Sequence, residues 1–260
     1  MGIYKGLTII MISLEKKRGF ISHFCNSFAT LYKMNGMEQP RLQKFLDLFR
    51  TVSYAKGQVL LFQGEAPRGA FIIKHGIVKV YNLDSAGREQ LIYFQAESEI
   101  FPFTWVMGKA PSAFYFYEAF TDCEVYLVPR ERYLDFIKSD KELLIRTLEM
   151  QAVREAVQTM RLNALIHSKA AEKLVHTLHY LVQSHGEYVS KDVMVLKLPL
   201  TQQDFANLTG ITRETTAVEF GKLKKRGVIS YKTPTVYHIN MTKFQKLLAD
   251  QFIVDANFTL

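Results

Sequence analysis

Between Met37 and about Pro129, short apolar runs alternate with glycines. The runs Val59 to Phe62, Phe71 to Lys74, Ile77 to Tyr81, Gln90 to Phe94 and Val125 to Val128 have strand length, and Gly57, Gly64, Gly76 and Gly87 punctuate them. Glycine reaches positive φ without steric cost, as hairpin turns require. The pattern predicts an antiparallel, jelly-roll-like β-roll over residues 37–137. After Pro129 the texture changes. Arg130 to roughly His185 lacks Gly and Pro and is rich in Leu, Ala, Glu, Lys and Arg, which predicts helix.

Within that stretch Leu143, Met150, Val153, Val157, Met160 and Ala164 follow three- and four-residue steps, interrupted once at Arg146. Such a seam suits pairing with a second helix, so residues 138–166 are expected to form a dimerisation helix. The same seam would equally serve a helix lying on its own sensor domain. Ile145, Leu148, Leu162 and Leu165 fall off the seam and are expected to face the roll. A further helix is expected to open at Ser168 as N-cap and to end at Ser184-His185-Gly186, starting a small domain over residues 167–260. Residues 1–36 have no clear periodicity and are expected to be a poorly ordered arm.

A chain of 260 residues with 48% hydrophobic side chains can support two packed cores. The apolar stretch Leu7 to Leu14 is far short of the roughly 20 residues a spanning helix needs. Glu15-Lys16-Lys17-Arg18 follows it without a cleavage site, so the expectation is a cytoplasmic protein with no membrane association. Two cysteines, Cys25 and Cys123, are too few for a four-thiolate cluster or a disulfide framework. His75 is the sole histidine between Met37 and Ile166, which argues against a jelly-roll metal enzyme. His176 and His179 read as surface or interface residues, and no metal site is expected. Residues 167–260 hold twelve basic and eight acidic side chains, so half of the net +8 lies in the last third. That excess is compatible with a polyanionic partner and equally with a solvated surface.

The informative segment is Leu200 to Ile229, LTQQDFANLTGITRETTAVEFGKLKKRGVI. Thr201 and Asp204 have capping-box spacing, Ala206 is small enough for a close helix crossing, Gly210 supplies a sharp turn, and Thr212 caps the next helix. On that helix Thr216, Phe220 and Leu223 share one face. Arg213, Glu214, Ala217 and Val218 lie elsewhere and are the expected base readers: Arg grips guanine O6 and N7, and Glu accepts from cytosine N4. Thr201, Gln203, Thr212, Lys222, Lys224, Lys225, Arg226 and Lys232 are the expected phosphate contacts.

The run TQQDFANLTGITRETT resembles the helix-turn-helix of the Crp/Fnr family of bacterial regulators. Upstream, KGQVLLFQGE, FIIKHGIVKVY, GREQ and TDCEVYLVP resemble that family's β-roll, so the similarity runs from about Tyr54 to Tyr237. The resemblance implies an α+β architecture: a β-roll of the cyclic-nucleotide-binding-domain fold, a long dimerisation helix and a C-terminal winged helix-turn-helix. It further implies a homodimer on double-stranded DNA with a palindromic operator, with RNA polymerase as a further partner. Arg213 and Glu214 match the family's base-reading pair. Val218 stands where better-known members carry a second arginine, and valine can touch a thymine methyl but cannot donate a hydrogen bond.

In cyclic-nucleotide-binding relatives a Gly-Glu pair and an Arg-Ser pair hold the ribose and phosphate. Here Ser98-Glu99 and Ala113-Phe114 fall at those places, and Ala156-Val157 falls where the adenine-reading Thr-Ser would be. A buried phosphate without a cationic partner is costly, so the expectation is an unknown small-molecule effector other than cyclic AMP and no evident cofactor. Glu99, Phe101, Phe103, Phe114, Tyr115 and Glu118 are the candidate pocket, although barrel interiors use the same residues as filler. No nucleophile motif, phosphate loop or metal spacing points to an enzyme. An effector-binding or scaffold module without sequence-specific DNA readout is the alternative.

Overall fold

The computed structural model describes residues 40–251 apart from positions 197, 232 and 234. The expected arm over residues 1–36 and the phosphate candidate Lys232 lie outside the described residues. Contacts divide the chain into two units that meet between Arg154 and Glu155.

The first unit opens with α1 (Pro40–Leu46), followed by β1 (Thr51–Tyr54), β2 (Val59–Leu61), β3 (Ala70–His75), β4 (Val78–Leu83), β5 (Glu89–Gln95), β6 (Ile100–Phe101), the short α2 (Phe103–Val106), β7 (Phe116–Ala119), β8 (Cys123–Val128) and α3 (Arg130–Lys138). The strands form two four-stranded antiparallel sheets, ordered β1-β8-β3-β6 and β2-β7-β4-β5. Four expected turn glycines take positive φ; at Gly76 a Cβ would collide with the Asp122 carbonyl oxygen.

Strand β3 explains why Ala70 to Ile73 are apolar at every position. Phe71 and Ile73 join Leu61, Val80, Phe101 and Val125 in one cluster, while Ala70 and Ile72 join Phe45, Tyr126, Tyr133 and Ile137 in another. Side chains alternate across a strand, so a strand covered on both faces has no polar face to show. Three strands escaped the sequence pattern. In β1 neither face is fully buried, β6 is two residues long, and β7 lies inside a continuous aromatic run that hides its alternation.

The expected helical stretch breaks twice without glycine or proline. The Ser139 hydroxyl donates to the Phe136 carbonyl at 2.8 Å, closing α3, and Asp140 accepts from the Glu142 amide at 2.8 Å, opening the long helix α4 (Lys141–Ile166). Short polar side chains compete with the helix for backbone groups and so punctuate it.

Beyond α4, the second unit holds α5 (Ala170–His185), β9 (Gly186–Ser190), β10 (Val193–Leu196), α6 (Gln202–Thr209), α7 (Arg213–Lys225), β11 (Ile229–Ser230), β12 (Tyr237–Asn240) and α8 (Met241–Gln251). Its strands form a sheet ordered β11-β12-β10-β9. Ser168 is not the cap of α5. Lys169 holds that place in extended conformation with no side-chain cap bond, and its carbonyl accepts from the Lys173 amide at 3.0 Å. Glu172 in the first turn, bonded to Lys169 Nζ at 3.0 Å, supplies the negative charge a helix start favours. The surface reading of His176 also fails, since α5 is the buried helix of this unit. His176 is 4% exposed and stacks on His167 with ring centroids 4.1 Å apart. Burial brings the His176 and His179 imidazoles down to about 4, so both are neutral at pH 7.

Candidate functional site

Helices α6 and α7 are defined by their ends. Thr201 Oγ1 accepts from the Asp204 amide at 3.2 Å and Asp204 Oδ2 accepts from the Thr201 amide at 2.7 Å, which completes the capping box. Such a cap stabilises a helix by about 1 kcal/mol. Gly210 at φ 66° and ψ 29° ends α6, its amide donating to the Ala206 carbonyl at 2.9 Å. Two residues on, Thr212 Oγ1 accepts from the Thr215 amide at 3.2 Å and starts α7. Phe205, Ala206 and Leu208 from α6, with Thr216, Phe220 and Leu223 from α7, are all buried. Phe205 meets Phe220 edge-on at 4.8 Å, and Tyr237 of the sheet lies 5.3 and 5.4 Å from the two rings.

With that face of α7 committed to the core, Arg213, Glu214, Ala217 and Val218 are left exposed, Val218 at 58%. Positions 213 and 217, and 214 and 218, are one turn apart, so the four form a contiguous patch at the leading end of the helix. Backbone hydrogen bonding, the Thr212 hydroxyl and the nearby Arg213 charge hold the Glu214 carboxyl below the usual carboxylate range, so it is ionised and accepts only. Thr201, Gln203, Thr212, Lys222, Lys224, Lys225 and Arg226 are exposed around the patch. Lys222 bonds Glu219 at 2.6 Å and Lys224 lies 4.4 Å from the Tyr231 ring centroid, so both heads are pre-positioned.

Helix α4 turns a different face inward from the one its sequence suggests. Leu143, Thr147, Met150, Arg154, Val157, Arg161 and Ala164 recur at alternating four- and three-residue steps, and all are buried or half-buried. Of the expected seam, Leu143, Val157 and Ala164 are therefore already buried in a single chain, and Met150, Val153 and Met160 are half-buried. The off-seam residues Ile145, Leu148, Leu162 and Leu165 are exposed, Leu148 and Leu162 by 63% and 64%. The physical reason is that three polar side chains point inward, where all of them find partners: the Thr147 hydroxyl donates to the Leu143 carbonyl at 2.8 Å. Arg154 pairs with the buried Glu99, and Arg161 donates to the Leu208 carbonyl.

The six expected pocket residues are not brought together. Phe101 is core, stacked between Phe71 and Tyr117 at 5.1 and 4.8 Å. Tyr115 borders that cluster, whereas Phe103 belongs to the cluster around Phe45 and Tyr126. Phe114 is half exposed, and Glu118 pairs with Lys79 at 3.1 Å. What does assemble is a polar knot around Glu99: Arg154, the Gln95 amide at 3.2 Å, and the mutually hydrogen-bonded Tyr93 and Tyr117, both held protonated by burial. Ser98, beside it, adopts positive φ (71°). The missed signal was Arg154, a cation next to a seam position.

Residues 51–140 match the model of a cyclic nucleotide-binding domain and residues 172–249 that of a Crp-like helix-turn-helix domain. The chain is 28% identical over 173 residues to a probable transcriptional activator of Rhizobium leguminosarum, covering 66% of this chain and 70% of the relative. It is 22% identical to the nitrogen fixation regulation protein FixK of Bradyrhizobium diazoefficiens, covering 80% of this chain and 86% of that one. The structure of FixK2 from Bradyrhizobium japonicum superposes with a TM-score of 0.64 at 21% identity, over 76% of this chain and 96% of that one, a likeness of fold. A sensor-domain match followed by a helix-turn-helix match, on a chain whose α7 presents an uncovered polar patch, places the protein in the Crp/Fnr family as an effector-controlled, DNA-binding transcription regulator.

Proposed function

We propose that the protein acts as a cytoplasmic homodimer on a palindromic operator, inserting α7 of each subunit into successive major grooves. The observation that carries this reading is the exposed quartet Arg213, Glu214, Ala217 and Val218 on a helix whose opposite face is locked in the core. Arg213 takes a guanine, Glu214 a cytosine amino group, and Ala217 and Val218 offer apolar contact to a thymine methyl. Thr201, Gln203, Thr212 and the cations from Lys222 to Arg226 hold phosphates and set the register. RNA polymerase is the machinery such binding recruits or blocks.

The pairing surface we assign is the exposed stripe on α4: Leu144, Leu148, Ala152, Glu155, Thr159, Leu162 and Ile166, one or two residues and so about 100–200° round the helix from the buried face. Half-buried Met150, Val153 and Met160 border it. The effector acts at the knot of Glu99, Arg154, Tyr93 and Tyr117, because a ligand that competes for Arg154 changes a residue of the pairing helix. Coupling then follows from its different affinity for two arrangements of that helix. The ligand expected there is not cyclic AMP, because the sequence resemblance puts Ala113, which is buried, where relatives carry a phosphate-binding arginine.

Selection from a randomised duplex library tests the reading. Wild type should enrich two inverted half-sites about one helical turn apart, and Val218→Arg should change the preferred base at one position of each. Enrichment without inverted symmetry, or an unchanged preference, removes the assignment.

A further inference from the structure

Arg161 is a charged residue buried in the second unit, 7% exposed. It extends from α4, its Nη2 donating to the Leu208 carbonyl at 2.6 Å and its guanidinium lying 5.6 Å from the Tyr180 ring centroid on α5. One side chain thus ties three helices together. Leu208 lies in the last turn of α6, where carbonyls have no partner within the helix. Neighbouring carbonyls are met locally, that of Phe205 by the Thr209 hydroxyl at 2.6 Å and that of Ala206 by the Gly210 amide at 2.9 Å. The carbonyl of Leu208 is met from the long helix instead.

That location is informative. Leu208 stands two residues before the Gly210 turn and four before Thr212, the cap of α7. The bond is to backbone, so it holds the corner between the two helices and not merely a side chain that could rotate away. A cation is also favoured where a helix ends, because unpaired carbonyls concentrate negative potential there. A leucine or methionine would fill the same space without desolvating a charge. What an apolar contact lacks is direction: it lets α6 slide or pivot on α4, whereas a charge-assisted hydrogen bond with aromatic stacking defines an angle.

We propose that Arg161 is a positioning residue for DNA recognition, fixing the angle between the long helix and the helix-turn-helix corner so that the set of α4 is passed to α7. The inference rests on the reading of α7 as the DNA-reading helix and adds a coupling residue that touches neither DNA nor effector. In a dimer, the angle between α4 and α7 in each subunit determines which distance between half-sites the two reading helices accept. A pair of α7 helices freed to pivot would still bind half-sites but would tolerate altered spacing.

The test uses the full-length protein and its selected operator, with copies of that operator carrying one base pair added to or removed from the centre. Wild type should prefer the native spacing. Arg161→Met should lose about five- to twentyfold of that preference while affinity for an isolated half-site stays within about twofold, and Arg161→Lys should fall between. Arg161→Gln, too short to reach the carbonyl, takes the place of Arg161→Met if the latter does not fold. A purely structural arginine would lower the melting temperature and leave the ratio between spacings unchanged, which overturns the proposal. Wild type showing no preference among duplexes would instead sink the DNA-reading assignment itself.

Discussion

Helices α7 and α4 each leave a row of side chains uncovered, and the two rows differ in kind. On α7 the row is Arg213, Glu214, Ala217 and Val218, two full charges followed by two small apolar groups. On α4 it includes Leu144, Leu148, Leu162 and Ile166, exposed by 38%, 63%, 64% and 78%. A hydrated, charged row loses little by facing water and suits a wet, polar partner such as a DNA groove. A row of branched aliphatics is exposed at a cost of about 25 cal/mol for each Å² and calls for a dry partner. The difference fits the proposed occupants, nucleic acid for α7 and a second copy of α4 for α4.

The largest effect should come from putting charge into the apolar row. Leu148→Glu with Leu162→Glu should convert the protein to a monomer by sedimentation and drop operator affinity toward the non-specific level, about 10³-fold or more. A dimer that survives both changes would break the contrast at its apolar end. Salt comes next. If Lys222, Lys224, Lys225 and Arg226 each neutralise one phosphate, a fourfold rise in salt should weaken DNA binding about 10²-fold for each half-site, since each contact releases a counterion. Dimerisation through aliphatic side chains should hold or tighten under the same change. Equal salt sensitivity of the two equilibria would mean that the rows are not as different as their chemistry.

Smaller still is the loss of one reader. Arg213→Ala should cost about 1–3 kcal/mol for each half-site and relax selectivity at a single base position, with the dimer intact. Loss of affinity that is uniform across sequences would make Arg213 a phosphate contact instead. The last effect is on stability, not on DNA binding, and concerns the helix behind both rows. His176, His179 and His185 on α5 are depressed to about 4 by burial, below the ordinary value of 6.5. The unfolded chain then binds more protons than the folded one between those values, so stability is complete above about pH 6.5 and is lost as pH falls toward 4. Calorimetric melting should show the second unit destabilised before the first on acidification, and a melt that does not change from pH 7 to pH 5 contradicts the burial of these rings.

The helix-turn-helix was legible because the signals that set its helix ends and its buried face are local. Thr201, Asp204, Gly210 and Thr212 act on backbone groups within four residues of themselves, and the buried trio Thr216, Phe220 and Leu223 repeats at helical spacing. The face of α4 was misread for the opposite reason. Its inward stripe contains Thr147, Arg154 and Arg161, and the partners of the two arginines, Glu99 and Leu208, lie 55 and 47 residues away in sequence. A cation in a heptad pattern looks like a solvated position until its partner is known. The same holds for the candidate pocket, of which Phe101 is core, Phe103 packs on a different cluster and Phe114 is half exposed.

From its residues alone the chain determined the kinds of element, the order in which they occur and the chemistry of the leading turns of α7, because capping, turn geometry and periodicity are short-range. Tertiary structure decided which stripe of α4 is covered, which of the aromatic side chains are core and where Arg154 and Arg161 end. Those outcomes depend on desolvation and on partners far along the chain, and a buried charge is satisfied only where the fold delivers its counterpart.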